Sequence, residues 1–117
     1  AMAPHPLMAE LRAANPRCCE CDDPEVTWAA YNIGCVLCEQ CASVHRQLGL
    51  ATSKLRSLEL DDWPEALLEC FVRSLGNEAV NSVWEVSVMK GWTRPKPRSP
   101  IEKKSEWITS KYSWFAF

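Results

Sequence analysis

The chain has 117 residues, of which 47% are apolar and 24% are charged, and its formal net charge is −2. This balance is typical of a soluble globular protein and argues against disorder over most of the length. The slightly acidic total also argues against a duplex-DNA binder, which usually presents a basic surface.

A short helix is predicted near the N-terminus. Within residues 4–17 the apolar residues follow helical spacing, with Pro4 and Pro6 before them and Pro16 after them: Leu7, Met8, Leu11 and Ala14. We expect residues 1–6 to be a tag remnant or a flexible N-terminus. Residues 7–117 are then expected to form a single domain without internal repeats.

The cysteines are the most informative residues. Two Cys-x-x-Cys pairs are separated by sixteen residues: Cys18, Cys21, Cys38 and Cys41. Zinc usually takes four tetrahedral ligands, and two such pairs supply four thiolates from two tight loops. Because no apolar stretch resembles a signal peptide or a membrane span, a disulfide framework is the poorer explanation. We predict one Zn²⁺, which is structural because four thiolates leave no position open for water.

Three further cysteines leave alternatives open. Cys35 and Cys38 also form a Cys-x-x-Cys pair, but the residues around Cys35 are typical of a strand, which favours Cys38 with Cys41. Cys19 and Cys35 are interpreted as small buried hydrophobic residues or idle thiols, and Cys70 as a packing residue. An iron–sulfur cluster is less favoured, because the final cysteine of the bacterial ferredoxin run, which precedes a proline, is absent.

A hairpin and a helix are predicted around the second cysteine pair. Residues 28–32 and 34–38 are short, apolar and bounded by turn residues. In the following helix the apolar stripe is Cys41, Val44, His45 and Leu48. Arg46 lies roughly 140° around the helix from Cys41, at about 100° per residue, and so points outward. Gly49 is expected to end the helix, and His45 to be a satisfied core residue, not a fifth ligand.

A third strand and a further helix are predicted next. Residues 54–60 alternate apolar with polar side chains. Asp62 is expected to be the N-cap of the helix that follows, with Pro64 in its first turn. Gly76 is expected to end this helix, whose apolar face is Leu67, Leu68, Phe71, Val72 and Leu75.

Two more helices complete the predicted fold. Asn77 and Ser99 are expected to cap them, and residues 90–98 to form the loop between them. The predicted inward-facing residues are Val80, Val83, Trp84, Ile101, Ile108, Tyr112 and Phe115. The fold class is α+β: a small four-cysteine zinc finger with a three-stranded antiparallel sheet surrounded by about five to six helices.

Charge is unevenly distributed along the chain. The stretch from Glu59 to Glu69 has five acidic residues and no basic one, whereas Lys90 to Lys104 has six basic residues and one acidic. The simplest interpretation of each stretch is a solvated face. The basic stretch also fits a contact with an anionic membrane surface or an acidic partner.

The full pattern resembles the ArfGAP domain, found in GTPase-activating proteins for ADP-ribosylation factors. The resemblance rests on Cys-x2-Cys-x16-Cys-x2-Cys-x4-Arg and covers roughly residues 7–117. Further similar segments are Trp28-Ala, Asn32-Ile-Gly, Val36-Leu-Cys, His45-Arg-Gln-Leu-Gly, Ser53-Lys-Leu-Arg-Ser-Leu, Leu60-Asp, Trp63, Gly76-Asn and the closing Trp107-Ile and Lys111-Tyr. The chain departs from the family in having Leu50-Ala51 where members commonly have valine and histidine.

The resemblance implies a function. Arg46 would be an arginine finger supplied in trans to a GTP-bound Arf-family GTPase in membrane traffic, from a scaffold that zinc stabilises. Trp28, Ile33, Lys54, Arg56 and Asp61 would surround it and contact the GTPase. The protein would not be an enzyme in its own right. It would be cytoplasmic, recruited peripherally to membranes, part of a larger multidomain protein, and would bind no nucleic acid.

Two other functions are weighed against this one. An ArfGAP fold can bind a GTPase or a scaffold without activating it, since a matching arginine does not prove turnover. A GATA-type DNA-binding finger also uses two Cys-x-x-Cys pairs, but it carries a basic helix and a basic tail after the second pair. Here Arg46 is the only basic residue other than His45 between Cys41 and Gly49, which disfavours DNA binding.

Overall fold

A three-stranded antiparallel sheet in the order β2-β1-β3 lies at the centre of the fold. The computed structural model describes residues 5–86, 88 and 92–115. Strand β1 is Trp28–Ala30, β2 is Cys35–Leu37 and β3 is Leu55–Ser57. The hairpin turn between β1 and β2 requires Gly34, which has φ +106° and leaves no room for a Cβ beside Leu75.

Five helices surround this sheet in the described residues: α1 (Pro6–Ala14), α2 (Glu39–Gln47), α3 (Glu65–Ser74), α4 (Asn77–Trp84) and α5 (Ile101–Tyr112). Helix α1 packs on α3, α2 packs on both β1 and α5, and α4 contacts β2. The predicted α+β class with a three-stranded sheet and about five to six helices is therefore confirmed. None of these helices is long and apolar enough to cross a lipid bilayer.

Helix α2 follows the predicted stripe. Cys41, Val44 and His45 are buried, whereas Arg46 is exposed. The helix begins just after Cys38, whose sulfur accepts a hydrogen bond from the backbone N–H of Cys41. It ends before Gly49, which has φ +93°, as the left-handed stop predicts.

The third strand is shorter than predicted and ends at Ser57. The Ser57 hydroxyl accepts the backbone N–H groups of Glu59 and Leu60, and the Asp61 carboxylate accepts the N–H of Ser57 at 2.7 Å. These bonds close a turn over residues 58–61, where the alternating pattern had predicted more strand. Local side-chain bonds to the backbone compete here with sheet pairing.

The predicted helix caps are wrong. Helix α3 begins at Glu65 after Pro64, so Asp62 is not its cap. Asn77 is the first residue of α4, and its side chain instead accepts the N–H of Val36 at 2.8 Å. Ser99 accepts the N–H of Lys96, and α5 begins at Ile101 without a side-chain cap. Asn77 thus bonds to a residue distant in sequence, and Ser99 bonds within its own turn. The local sequence pattern reveals neither partner.

Several residues predicted to be inside are outside. Val83, Ile101 and Phe115 are 68%, 40% and 72% exposed, although the Phe115 ring stacks on that of Trp84. Cys70 is also exposed, so its predicted packing role is wrong. On α5 the buried stripe instead contains two lysines, Lys104 and Lys111. The predicted loop lies partly outside the described residues, at 90 and 91, and residues 92–100 are irregular.

A candidate metal centre and an exposed arginine

Four cysteine thiols meet at the start of α2. Cys18, Cys21, Cys38 and Cys41 are all buried, and their sulfur atoms lie within 4.8 Å of one another. Cys21 and Cys38 bring their Sγ atoms to 3.7 Å. Tetrahedral Zn–S bonds of about 2.3 Å place two ligand sulfurs about 3.8 Å apart. The spacing and chemistry of the four cysteines therefore fit a Zn²⁺ ion with four tetrahedral sulfur ligands.

The four thiols of this cluster shift one another's pKa values through hydrogen bonds. These bonds lower the pKa of Cys38 and Cys21 and raise the pKa of Cys18 and Cys41 above its ordinary value. Thiolate is the form that binds a metal. The cysteine of the alternative pair, Cys35, lies on β2 outside this cluster, as its strand-like surroundings indicate.

A second group of possible ligands consists of Cys19, Glu20 and Cys35, whose ligand atoms also lie within 4.8 Å of one another. Both oxygens of Glu20 are already used, one by Lys111 and the other by His45. The carboxylate that a metal would need as a ligand is therefore already bonded to the cationic Lys111. Cys19 and Cys35 are buried, which fits the predicted small hydrophobic role.

Arg46 projects from the last turn of α2. Its guanidinium carbon lies over the indole ring of Trp28, 5.1 Å from the ring centroid. The same indole donates its Nε1–H to Glu39 at 2.8 Å, so the ring is held at both its edge and its face. Among the residues that the structure describes, no carboxylate lies within ion-pair distance of Arg46. The guanidinium is thus exposed, positioned and available.

A cleft of about 290 Å³ opens beside this arginine. Its lining residues are Trp28, Arg46, Leu50, Ser53 and Leu55. Leu50 is 77% exposed at its rim, which is an unfavourable place for an apolar side chain in water. The cleft therefore combines the cationic Arg46 and the hydroxyl of Ser53 with an apolar wall of Trp28, Leu50 and Leu55.

Of the five residues predicted to surround Arg46, Trp28 lines the cleft and the other four do not. Ile33 lies in the hairpin turn, partly buried against the core. Lys54 is exposed at the start of β3. Arg56 donates to the carbonyl of Asp62 and lies over the Tyr31 ring, and Asp61 closes the turn after β3.

A buried charge network connects the metal-binding loop to helices α2 and α5. Glu20, His45 and Lys111 are each 0% exposed. The Glu20 carboxylate accepts from Lys111 Nζ at 2.7 Å and meets His45 Nε2 at 2.8 Å. His45 is thus a satisfied core residue, as predicted. Burial would raise the pKa of Glu20, but the charge of Lys111 and the His45 hydrogen bond outweigh it and hold that pKa well below its ordinary value.

The network continues into α4 and the segment before α5. Lys111 also contacts Asn81 at 2.6 Å and the carboxylate of Glu85. Arg94 pairs with Glu85 at 2.5 Å and donates to the carbonyl of Cys19 at 2.7 Å. Removing one partner of such a buried pair typically costs about 3–5 kcal/mol, because the other charge is left uncompensated.

The basic stretch from Lys90 to Lys104 is less available than its sequence suggests. Arg94 is used in the buried network, and Lys104 is 0% exposed, donating to Gln40 and to the carbonyl of Pro97. Position 90 lies outside the described residues. The exposed basic side chains are Lys96, Arg98 and Lys103.

Comparison with known proteins identifies the family. Residues 6–117 match the family model named ArfGap, described as "Putative GTPase activating protein for Arf". The chain belongs to the ArfGAP family.

Named relatives of this ArfGAP domain are much longer proteins. It is 41% identical over 101 residues to the human protein "Arf-GAP with coiled-coil, ANK repeat and PH domain-containing protein 3", covering 86% of this chain and 12% of that protein. It is 38% identical over 117 residues to the human "ARF GTPase-activating protein GIT2", covering 94% of this chain and 15% of that one. The chain therefore spans about an eighth of the length of these relatives.

Solved structures show the same fold. The ArfGap domain of human RIP superposes with a TM-score of 0.77 at 20% identity, covering 97% of this chain and 87% of that one. The ArfGap domain of HIV-1 Rev binding protein gives a TM-score of 0.77 at 18% identity, covering 94% and 83%. At this level of identity the superpositions establish the ArfGAP fold.

Three residues of this region were given no site role from the sequence: Glu20, Ser53 and Lys111. One signal was present, because Lys104 and Lys111 share the buried stripe of α5 with Trp107 and Ile108. A buried lysine needs acceptors for its ammonium group, which Gln40 and Pro97 supply to Lys104 and Glu20 supplies to Lys111. The sequence could indicate that a partner exists, but not that it lies 91 residues away at Glu20.

Proposed function

We propose that this ArfGAP domain stimulates GTP hydrolysis by an Arf-family GTPase, and that Arg46 is its arginine finger, supplied in trans. The observation that carries the proposal is the exposed guanidinium of Arg46, which lies over Trp28 beside an open cleft. The helix that presents it starts at the four-cysteine cluster. Family membership supplies the GTPase partner.

The chemistry required of Arg46 is charge stabilisation. GTP hydrolysis develops charge on the phosphoryl oxygens, and a guanidinium supplied by a second protein contributes on the order of 10³–10⁵ in rate. This corresponds to about 4–7 kcal/mol of barrier. Arginine suits the task better than lysine, because its planar fork can hold two oxygens and it remains charged. An arginine already held on an aromatic ring loses less conformational freedom when it engages.

We propose one Zn²⁺ bound by Cys18, Cys21, Cys38 and Cys41. A bound zinc ion would join the first cysteine loop to the start of α2 through these four residues. Four thiolates fill the tetrahedral shell and leave no position for a water, so the role is structural. The chain's own residues present the arginine: α2 carries it, and Trp28 limits its orientations.

The surface around the cleft is the proposed GTPase-binding site. Trp28 and the exposed Leu50 offer apolar area close to Arg46. Lys54 is exposed next to the cleft residues Ser53 and Leu55, where it can add charge. Three other proposed contacts lie further out: Ile33, Arg56 and Asp61. Arg56 and Asp61 also stabilise the turn that follows β3.

Recruitment to membranes forms a second part of the proposal. An anionic surface attracts Lys96, Arg98 and Lys103, which are exposed before and at the start of α5. Arf-directed activation in membrane traffic would place the domain peripherally on such a surface from the cytoplasm. The domain would work as one part of a longer protein, as the lengths of its relatives suggest.

The test is single-turnover GTP hydrolysis by a panel of GTP-loaded Arf-family GTPases, with and without the zinc-loaded domain. We expect stimulation of at least one GTPase by about 10³-fold or more at saturation. Binding of a GTP-loaded Arf without any stimulation would support the alternative, an ArfGAP-fold module that binds without activating.

A further inference from the structure

The residue before the proposed arginine finger is tied to the metal-binding loop. Glu20 lies between Cys18 and Cys21, and its carboxylate meets His45 Nε2 at 2.8 Å. The other ring nitrogen, Nδ1, lies 2.9 Å from the Ser53 hydroxyl. A continuous chain of hydrogen bonds thus runs from the cysteine loop, through α2, to the loop that follows it.

Both ends of this chain are fixed. Lys111 holds the second oxygen of Glu20 at 2.7 Å. Ser53 donates its backbone N–H to the carbonyl of Gly49 at 3.0 Å. The His45 ring also packs against the tilted ring of Tyr112, with ring centroids 4.9 Å apart. The imidazole is therefore held at both nitrogens and by a ring contact.

The anchored ring belongs to the last turn of the helix that carries Arg46. The carbonyls of His45 and Arg46 accept the N–H groups of Leu48 and Gly49, which close that turn. Ser53 also lines the cleft together with Arg46 and Trp28. A rotation of His45 would therefore move the start of the Arg46 side chain and one wall of the cleft together.

We propose that Glu20, His45 and Ser53 are positioning residues for Arg46: their hydrogen-bond chain fixes the last turn of α2 so that the guanidinium stays over Trp28 at the cleft. The proposal rests on the proposed function for its catalytic consequence, but the geometry it asserts can be measured without a GTPase. Lys111 connects this hydrogen-bond chain to α5, because its ammonium group bonds to Glu20.

The test uses Ser53→Ala in the zinc-loaded domain, because Glu20→Gln leaves a buried lysine uncompensated and can prevent folding. Ser43→Ala is the matched control, since Ser43 lies on α2 and its hydroxyl donates to the carbonyl of Gln40 within the same helix. The first readout is the NMR signal of the Arg46 Nε–H group, shifted by the Trp28 ring and assigned by its loss in Arg46→Lys. The second is kcat and KM for GTP hydrolysis by the stimulated Arf.

For Ser53→Ala we expect a smaller ring-induced shift of the Arg46 signal. We also expect kcat to fall about tenfold while KM stays unchanged. This loss in kcat is smaller than the ~100-fold loss that a 1 Å misplacement can cause. Ser53→Thr should restore both, and Ser43→Ala should change neither. In an Arg46→Ala background, Ser53→Ala should have no further effect on kcat.

An unchanged Arg46 signal and unchanged kcat in Ser53→Ala would overturn the proposal, even if the variant is less stable. A rise in KM alone would also overturn it, by assigning Ser53 to direct GTPase contact. If the wild-type domain stimulates no GTPase, the proposed function fails, and the Arg46 signal alone decides whether the positioning chain exists.

Discussion

The Arg46 guanidinium lies 5.1 Å from the centroid of the Trp28 indole, and Glu39 holds that indole by its Nε1–H at 2.8 Å. The contact joins β1 to the last turn of α2 across the mouth of the cleft. An exposed arginine ordinarily samples many conformations. Here an aromatic face restricts the guanidinium to a small region beside the surface where a GTPase would bind.

Replacing Trp28 with leucine should therefore lower the stimulated rate. A cation–π contact at an exposed site is worth about 0.5–1 kcal/mol, which corresponds to about a two- to fivefold loss in kcat. Trp114→Leu is the control, because Trp114 is 75% exposed on the segment after α5. Saturating single-turnover rates would measure both variants. An unchanged or higher rate in Trp28→Leu would show that the ring does not prepare the arginine.

Removing the metal should unfold the cysteine loop and the start of α2. The unfolded chain has no preformed site, so metal binding is coupled to folding. We expect about one zinc per chain by elemental analysis, and loss of zinc and of helical circular dichroism in Cys41→Ser or with a strong chelator. Cys70→Ser is the matched control, since Cys70 is exposed. Full zinc content in Cys41→Ser would contradict the assignment.

Two isoleucines of α5 provide a test of the fold. Ile108 is 0% exposed and Ile101 is 40% exposed. Ile108→Ala should lower the free energy of unfolding by about 2–5 kcal/mol, because it leaves a cavity. Ile101→Ala should change it by no more than about 0.5 kcal/mol. Urea unfolding at fixed zinc concentration measures the free energy of unfolding of both variants. Equal losses in the two variants would mean that α5 is rotated from the position described.

Neutralising the exposed basic side chains near α5 should weaken binding to anionic vesicles. Each surface lysine or arginine contributes about 1 kcal/mol near such a membrane, so changing Lys96, Arg98 and Lys103 to glutamine should lower affinity roughly 100-fold. Co-sedimentation with phosphatidylserine-containing vesicles measures it. Unchanged binding would end the proposal of a membrane contact here. The matched control is the same triple change elsewhere on the surface: Arg17, Lys54 and Arg73.

The local parts of the fold were predictable because short-range patterns determine them. The apolar residues that begin at Cys41 recur with helical period. This period predicts that the His45 side chain is buried and the Arg46 side chain is exposed. Gly49 could be identified as a helix stop because helices often end at a residue with positive φ, which glycine adopts readily. Gly49 does have a positive φ. These features depend only on residues within one or two turns of each other.

The long-range polar contacts were not predictable in the same way. Asp62, Asn77 and Ser99 carry side chains that usually cap helices, yet Asn77 bonds to Val36 and Ser99 bonds within its own loop. The residues next to Glu20 in sequence do not indicate its partner, but the fold brings Lys111 to it. Local pattern supplies the preference of each side chain, and only the tertiary arrangement determines which partner it meets.

The central claim is that Arg46 supplies the charge that activates the GTPase, and Arg46→Lys tests it most directly. Lysine keeps the positive charge but lacks the planar fork, and the site is exposed, so folding and zinc content should be unchanged. Single-turnover GTP hydrolysis by a stimulated Arf at saturating domain should fall by about 10³-fold or more. A lysine variant that stimulates as well as the wild type would contradict the account.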